Sequence, residues 1–152
     1  MRQVSDIALD FIKDFEGFEA ATYTDIAGVP TIGYGHTGSA AFPGNVISQA
    51  QAETYLRQDS STAAQAVDLW VKVPLNENER AALVSFTYNL GSGSLKRSTL
   101  LKKLNNNDRA GAAQEFLKWN KARISGVLKP IPGLTRRRAM EKALFLKKKI
   151  TP

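Results

Sequence analysis

The sequence predicts an α+β fold made of a small β-hairpin lobe near the N-terminus, a long connecting helix and a larger helical lobe. Three observations carry that prediction. Apolar residues recur at helical spacing through most of the chain. One stretch, residues 18 to about 37, reads instead as a small β-region, in which Thr31-Ile32-Gly33-Tyr34-Gly35 alternates large and small residues after a glycine turn. Side-chain capping patterns at Ser48 and Asn76 mark the starts of two long helices.

The elements follow in order. Val4, Ile7, Ala8, Phe11, Ile12 and Phe15 describe an amphipathic first helix with its acidic residues on the other side, and Gly17 stops it. Asp25-Ile26-Ala27-Gly28-Val29-Pro30, followed by Thr31-Ile32-Gly33-Tyr34-Gly35, reads as two strands joined by a glycine turn. Ala40 to Asn45 is a loop of turn formers. Ser48 and Gln51 form a capping box for a helix that runs to near Val71 and stops before Pro74. Asn76 caps a central helix whose Ala81, Ala82, Leu83, Val84, Phe86 and Leu90 imply burial on much of its circumference, and Gly91 ends it. The segment Gly91–Arg97 reads as a loop. Shorter helices are expected around Ser98–Leu104 and Arg109–Trp119, with Asn105-Asn106-Asn107-Asp108 as the turn between them. Ser125–Gly133 reads as a loop, after which Thr135 caps a final helix carrying Ala139, Met140, Ala143, Leu144 and Leu146. Trp70 and Trp119, at helix ends, are expected to pack rather than to bind sugars. A cleft between the lobes places Glu16 and Asp25 on opposing walls.

Composition narrows the function classes. The chain has 152 residues, 43% of them hydrophobic, enough for one compact domain or two small lobes on a shared core. It has no cysteine and one histidine, which removes disulfide and thiolate-metal chemistry and argues against a zinc site; no metal or organic cofactor is expected. The net charge of +7 is unevenly distributed: residues 1–75 carry 4 basic and 9 acidic side chains, and residues 76–152 carry 17 and 5. That polarity suits an anionic partner, either nucleic acid or a bacterial envelope, although Lys102, Lys103 and Lys147-Lys148-Lys149 also read as solvated helix faces. Asp6, Asp10, Lys13 and Asp14 interrupt any signal-peptide core, and no uninterrupted apolar segment is long enough to span a bilayer.

The residues that carry chemistry lie close together. Glu16 and Asp25 are separated by eight residues, and Thr31 follows after five more. Two carboxyl groups held apart by rigid backbone suit glycosidic-bond hydrolysis: one gives a proton to the leaving oxygen, while the other activates water or stabilises the developing oxocarbenium ion. A helix end against an apolar lobe favours a protonated Glu16, and a solvated hairpin favours an ionised Asp25. Thr31 can orient the water. The lone His36 is also a possible general base, a role that the carboxylates leave unnecessary.

Phe15-Glu16-Gly17-Phe18, Tyr23, Asp25 and Thr31-Ile32-Gly33-Tyr34-Gly35-His36 together resemble the active-site segment of the phage lysozyme family, glycoside hydrolase family 24, whose best-known member comes from a T-even phage. Phe86-Thr87-Tyr88-Asn89-Leu90-Gly91 and Gly133-Leu134-Thr135-Arg136-Arg137-Arg138 extend the resemblance over most of the chain. It implies a lysozyme-like fold forming one catalytic domain over 1–152, with a β-lobe at about 16–47 and a helical lobe at about 72–152 plus the N-terminal helix. The implied activity is that of a muramidase cutting the β-1,4 bond between N-acetylmuramic acid and N-acetylglucosamine in peptidoglycan. The family's Glu, Asp and Thr fall on Glu16, Asp25 and Thr31.

The resemblance also implies that Tyr88 and Asn89, and more weakly Thr37 and Thr99, contact substrate, that Arg137 faces Glu16, and that His36 pairs with Asp59 in support of the cleft. Arg136 and Arg138 are then solvated neighbours. Inversion at the anomeric carbon, with carboxyl groups about 6.5–9.5 Å apart, is the expected stereochemistry. A monomer without a specific nucleic-acid partner is expected. It accumulates in the host cytoplasm and depends on a holin to reach the periplasmic wall. Two other readings stand beside this one: a lytic transglycosylase, which needs a single catalytic acid, and a non-enzymatic binder of peptidoglycan or nucleic acid driven by the basic half.

Overall fold

The structure, a computed structural model, describes residues 3–147; Lys148 and Lys149 lie outside the described residues. The first helix, α1 (Asp6–Glu16), begins where the Ser5 side chain accepts the Ala8 N–H and ends at Gly17, where φ turns to 65°. Its buried stripe is Ala8, Leu9 and Ile12, while Ile7 is exposed, so the face is turned by one residue from the expected one.

Two antiparallel strands follow, β1 (Glu19–Thr24) and β2 (Pro30–Gly33), with Tyr23 directly opposite Thr31 and an irregularity between Glu19 and Tyr23. The expected loop after them also pairs: Thr22 N–H donates to Asn45, Ile47 N–H donates to Ala20, and Ala21 bridges Val46. The hairpin is therefore braced on its outer edge.

Helix α2 (Gln49–Trp70) starts with the complete Ser48–Gln51 capping box and at 22 residues is about 33 Å long. Helix α3 (Glu77–Leu90) starts with a second capping box, Asn76 with Glu79. It is buried without interruption from Glu79 to Thr87, and α1, α2 and the last helix all pack against it. A helix buried on all sides belongs at the centre of a bundle, and this one occupies that place.

The second half departs from the expected elements in three places. Residues 92–97, expected as loop, form a short helix, α4 (Ser92–Arg97), which Leu95 anchors in the core while Lys96 and Arg97 sit at its C-terminal end, where cations are favoured. Helices α5 (Thr99–Asn105) and α6 (Arg109–Glu115) come next, capped by Ser98 and Asp108, and α6 tightens into a 3₁₀ turn over Phe116–Lys118. The expected loop from Ser125 is mostly a second hairpin, β3 (Lys121–Ile124) and β4 (Val127–Pro130), with Ser125 and Gly126 both at positive φ in its two-residue turn. The last helix, α7 (Pro132–Leu146), begins at proline, three residues before the expected Thr135 cap, because proline's fixed φ suits the first helical position. Thr135 instead accepts a hydrogen bond from Asn120 at 3.0 Å.

The buried face of α7 also differs from the apolar one expected. It buries Arg137, Arg138, Glu141 and Phe145, and leaves Met140 and Leu146 about half exposed. Phe145 packs on Phe116, and the charged residues find partners on α1 and α3, so ion pairing rather than apolar content set the rotation of the helix. Trp119 meets Phe86 edge-on at 5.6 Å and Trp70 lies under the Lys96 ammonium, both as packing residues.

Candidate active site

Glu16 is the last residue of α1, half-buried just before Gly17 turns the chain. Its Oε2 accepts a 2.5 Å charge-assisted hydrogen bond from Arg137 Nη1 on α7. Its Oε1 lies against Gly35, where a β-carbon would stand 2.6 Å away, so only glycine lets the backbone pass that close to the carboxyl group.

Asp25 follows β1. Its Oδ1 accepts the N–H groups of Ala27 at 2.9 Å and Val29 at 2.8 Å, which locks the turn and leaves Oδ2 without a partner among the described residues. Thr31, on the return strand, is 3% exposed and donates its hydroxyl proton to the Val29 carbonyl at 2.8 Å. The Thr31 oxygen therefore meets anything in the cleft as an acceptor.

These three residues line one cavity of about 250 Å³ with Tyr23, Thr37, Tyr88 and Asn89, floored by Gly35. A second cavity of about 290 Å³ shares Gly35, Thr37 and Tyr88 and continues along Asp59, Thr62, Thr87 and Ser92. The two form one cleft between the first hairpin and α3, extended over α2 and the start of α4. The Tyr88 hydroxyl donates to the Tyr34 carbonyl at 2.6 Å, tying α3 to the end of the hairpin. Burial, reinforced by the charge of Glu16, pushes the Tyr88 phenol far above its ordinary range.

His36 sits beside the cleft. Its Nδ1 is 2.7 Å from Asp59 Oδ2, and its ring stacks on Tyr55 at 4.2 Å. The hairpin is thereby pinned to α2. Asn89 turns its Oδ1 toward Arg138 Nη2 at 2.9 Å. Thr99 lies apart: it is exposed in the first turn of α5 and lines neither cavity. Arg138, expected to be solvated beside Arg137, is fully buried, because Glu141 one turn along the helix supplies the counter-charge that its burial requires. Arg136 is exposed, with its guanidinium 5.6 Å from the centre of the Phe15 ring. Among the described residues no group of three or more His, Asp or Glu side chains converges on a metal position, and no helix is long and apolar enough to cross a membrane.

Tyr23 lines the cavity as well, beyond the site residues expected from sequence. Its signal was the two-residue spacing to Asp25, which puts both on the same side of an extended strand. Burial, then the charges of Glu16, Glu19 and Asp25, raise the Tyr23 phenol, so it remains a proton donor in the cavity. Glu141 and Ser85 were missed as well, although the spacing of Arg137 and Arg138 to Glu141 at four and three residues was visible.

Comparison with known proteins points one way. The profile of the family described as Phage lysozyme matches residues 13–141. The chain is 44% identical over 142 residues to the endolysin of Acyrthosiphon pisum secondary endosymbiont phage 1, covering 93% of this chain and 97% of that one. Among solved structures, the endolysin from Escherichia coli O157:H7 phage FAHEc1 superposes with a TM-score of 0.88 at 41% identity, covering 95% of this chain and 94% of that one. The muramidase domain of SpmX from Asticaccaulis excentricus gives 0.88 at 35% identity, covering 97% and 100%. With a profile match spanning most of its length and relatives of nearly equal length above 40% identity, the chain belongs to the phage lysozyme family.

Proposed function

We propose that this chain is a phage endolysin that hydrolyses peptidoglycan, cutting the β-1,4 bond between N-acetylmuramic acid and N-acetylglucosamine as a single catalytic domain over residues 1–152. The observation that carries the reading is one cavity lined by Glu16, Asp25 and Thr31 together, in a chain similar to endolysins and to a muramidase domain.

Glu16, the general acid, donates its proton to the glycosidic oxygen as the bond from the anomeric carbon to that oxygen breaks. Water attacks the anomeric carbon from the opposite face. Asp25 Oδ2 takes a proton from that water, and the Thr31 oxygen, whose own proton is committed to Val29, accepts the water's other hydrogen. The product at the new reducing end then has inverted configuration. Tyr88 and Asn89, from α3, and Thr37 contact the sugars, whereas Arg137, His36 and Asp59 hold the acid and the hairpin in place. The enzyme works as a monomer. It accumulates in the host cytoplasm and reaches the wall once a holin has permeabilised the membrane.

Digestion of purified peptidoglycan tests the reading. Wild-type protein should release new reducing ends of muramic acid, and Glu16→Gln should lower the rate by about 10²–10⁴ while folding normally, the range general acid catalysis supplies. Anhydro-muropeptides as the product would replace hydrolysis with transglycosylation. Binding without any release of sugar would leave only a wall-binding protein.

A further inference from the structure

Behind the cleft lies a charged cluster that the proposed chemistry does not use. Glu141, fully buried on α7, accepts the Ser85 hydroxyl at 2.6 Å on Oε2. The same oxygen takes Arg138 Nη2 at 3.1 Å and Arg137 Nε at 3.4 Å. Arg138 Nε approaches Oε1 to 2.7 Å, as an ion pair whose N–H direction is not that of a hydrogen bond. Every neighbour is a donor or a cation, so Glu141 is placed as an acceptor-only carboxylate even though burial pushes its carboxyl upward.

Both arginines extend from this carboxylate to the catalytic cavity. Arg137 ends on Glu16 at 2.5 Å and Arg138 ends on Asn89 at 2.9 Å, and Glu16 and Asn89 line the same cavity. Successive helix residues point about 100° apart, so Arg137 and Arg138 reach different walls, while Glu141, four and three residues on, lies one turn behind both. A buried ion-pair triad is a poor stabiliser compared with apolar residues of the same volume. Stability alone gives little reason for one here.

We infer that Glu141 is a positioning residue for the glycosidase reaction, acting through Arg137 on the acid Glu16 and through Arg138 on Asn89. This rests on the hydrolase reading above. On the Glu16 side, Glu141 shares the charge of Arg137 between two carboxylates, so the guanidinium orients Glu16 without pairing with it exclusively. On the other side, a guanidinium offers only donors, which fixes Asn89 Oδ1 toward Arg138. The Asn89 amide nitrogen is left for the cavity. Asn89 then acts on substrate as a donor, and its partner is an acceptor such as an acetamido carbonyl or a hydroxyl oxygen.

The groups facing Glu16 are Arg137 from α7, with Arg138 and Glu141 behind it, Tyr23 and Asp25 from the first hairpin, and Tyr88 from α3. Glu141→Gln removes one negative charge from this set and leaves Arg137 to Glu16 alone, which favours the proton-free acid. Soluble peptidoglycan fragments assayed across a range of pH should then show kcat lowered by about tenfold or more, as loss of orientation does. KM should rise as Asn89 is freed. The alkaline fall of activity should move to lower pH. Glu141→Asp keeps the charge and should return that alkaline side toward its wild-type position. Ser85→Ala, which removes the hydroxyl that donates to Glu141 and accepts from Arg137 Nη2 at 3.2 Å but keeps every charge, should displace it in the same sense by less, and decides the matter if Glu141→Gln does not fold.

Folded variants with wild-type kcat, KM and pH profile would overturn the inference. So would a lowered kcat with no displacement of the alkaline side and no rescue by Glu141→Asp, which is the mark of a structural cross-link. Wild-type protein that cleaved no fragment would instead remove the hydrolase reading itself.

Discussion

The Glu16 carboxyl fills the space that a side chain on Gly35 would need: a β-carbon there would stand 2.6 Å from Glu16 Oε1, and the Gly35 backbone is at φ +81°, where side chains are disfavoured. The hairpin thus reaches Glu16 through bare backbone, and the carboxyl is held between Gly35 on one side and Arg137 on the other.

Gly35→Ala should therefore lose more activity than stability. Gly44 is the matched control, at φ +84° with nothing within 4 Å of an added β-carbon. Both variants should lose about 1–2 kcal/mol through backbone strain. Only Gly35→Ala should lose about a hundredfold in wall clearing, since misplacing a reacting group by an ångström costs on that order. Equal activity in the two would show that the Gly35–Glu16 contact is irrelevant to function.

Thr31→Val keeps the shape of the side chain and removes the hydroxyl. The Val29 carbonyl loses its donor, and the water loses an acceptor. A stability loss of about 1–3 kcal/mol is expected, with activity reduced at least about tenfold, while Thr31→Ser should keep most of the activity. Chemical denaturation and turbidity assays on the same samples separate the two effects. A fully active Thr31→Val would remove the hydroxyl from the mechanism.

Asp59→Asn tests the pinning of the hairpin to α2. The His36–Asp59 contact is only partly screened from solvent, so its loss should cost about 0.5–1.5 kcal/mol. Turnover should stay within severalfold of wild type, because His36 lines neither cavity and Asp59 lines only the second one, away from Glu16, Asp25 and Thr31. A drop as large as that of Glu16→Gln would make His36 or Asp59 part of the chemistry.

Acid should weaken the helical lobe through Glu115. The Lys118 hydrogen bond, helped by Lys103 and opposed by burial, holds its carboxyl below the ordinary 4.5. A depressed carboxyl contributes stability that is fully present above its unfolded value and is lost as pH falls through its folded one. Urea midpoints should therefore drop below about pH 4.5 in wild type, and the drop should be shallower in Glu115→Gln. Because Lys118 is mostly exposed, the difference should be small and should shrink further in high salt. Parallel acid limbs for the two proteins would show that Glu115 contributes nothing.

The elements that the sequence placed well are those whose signals are complete within one or two turns. Both capping boxes join a residue to another three positions on, Gly17 and Gly91 stop helices with their own backbone, and the Asp25 turn closes with N–H groups two and four residues away. Such contacts form whatever the rest of the chain does. Together with the spacing of Glu16, Asp25 and Thr31, they made the hairpin, the long helix and the central helix legible.

Elsewhere a distant partner decided the outcome. Residues 92–97 look like a flexible Gly-Ser loop and become a helix because the core accepts Leu95. The pattern of α7 suggests an apolar face of Ala139, Met140, Ala143, Leu144 and Leu146. Its buried face is instead Arg137, Arg138, Glu141 and Phe145, and the partners of its charges are remote: Glu16 lies 121 positions from Arg137 and Ser85 lies 56 from Glu141. Burying a charge costs several kcal/mol unless a counter-charge is already in place. Local sequence marked Glu16, Asp25 and Thr31 as candidates; which of three consecutive arginines reaches Glu16, and which is buried beside it, was decided only when α1, α3 and α7 came together.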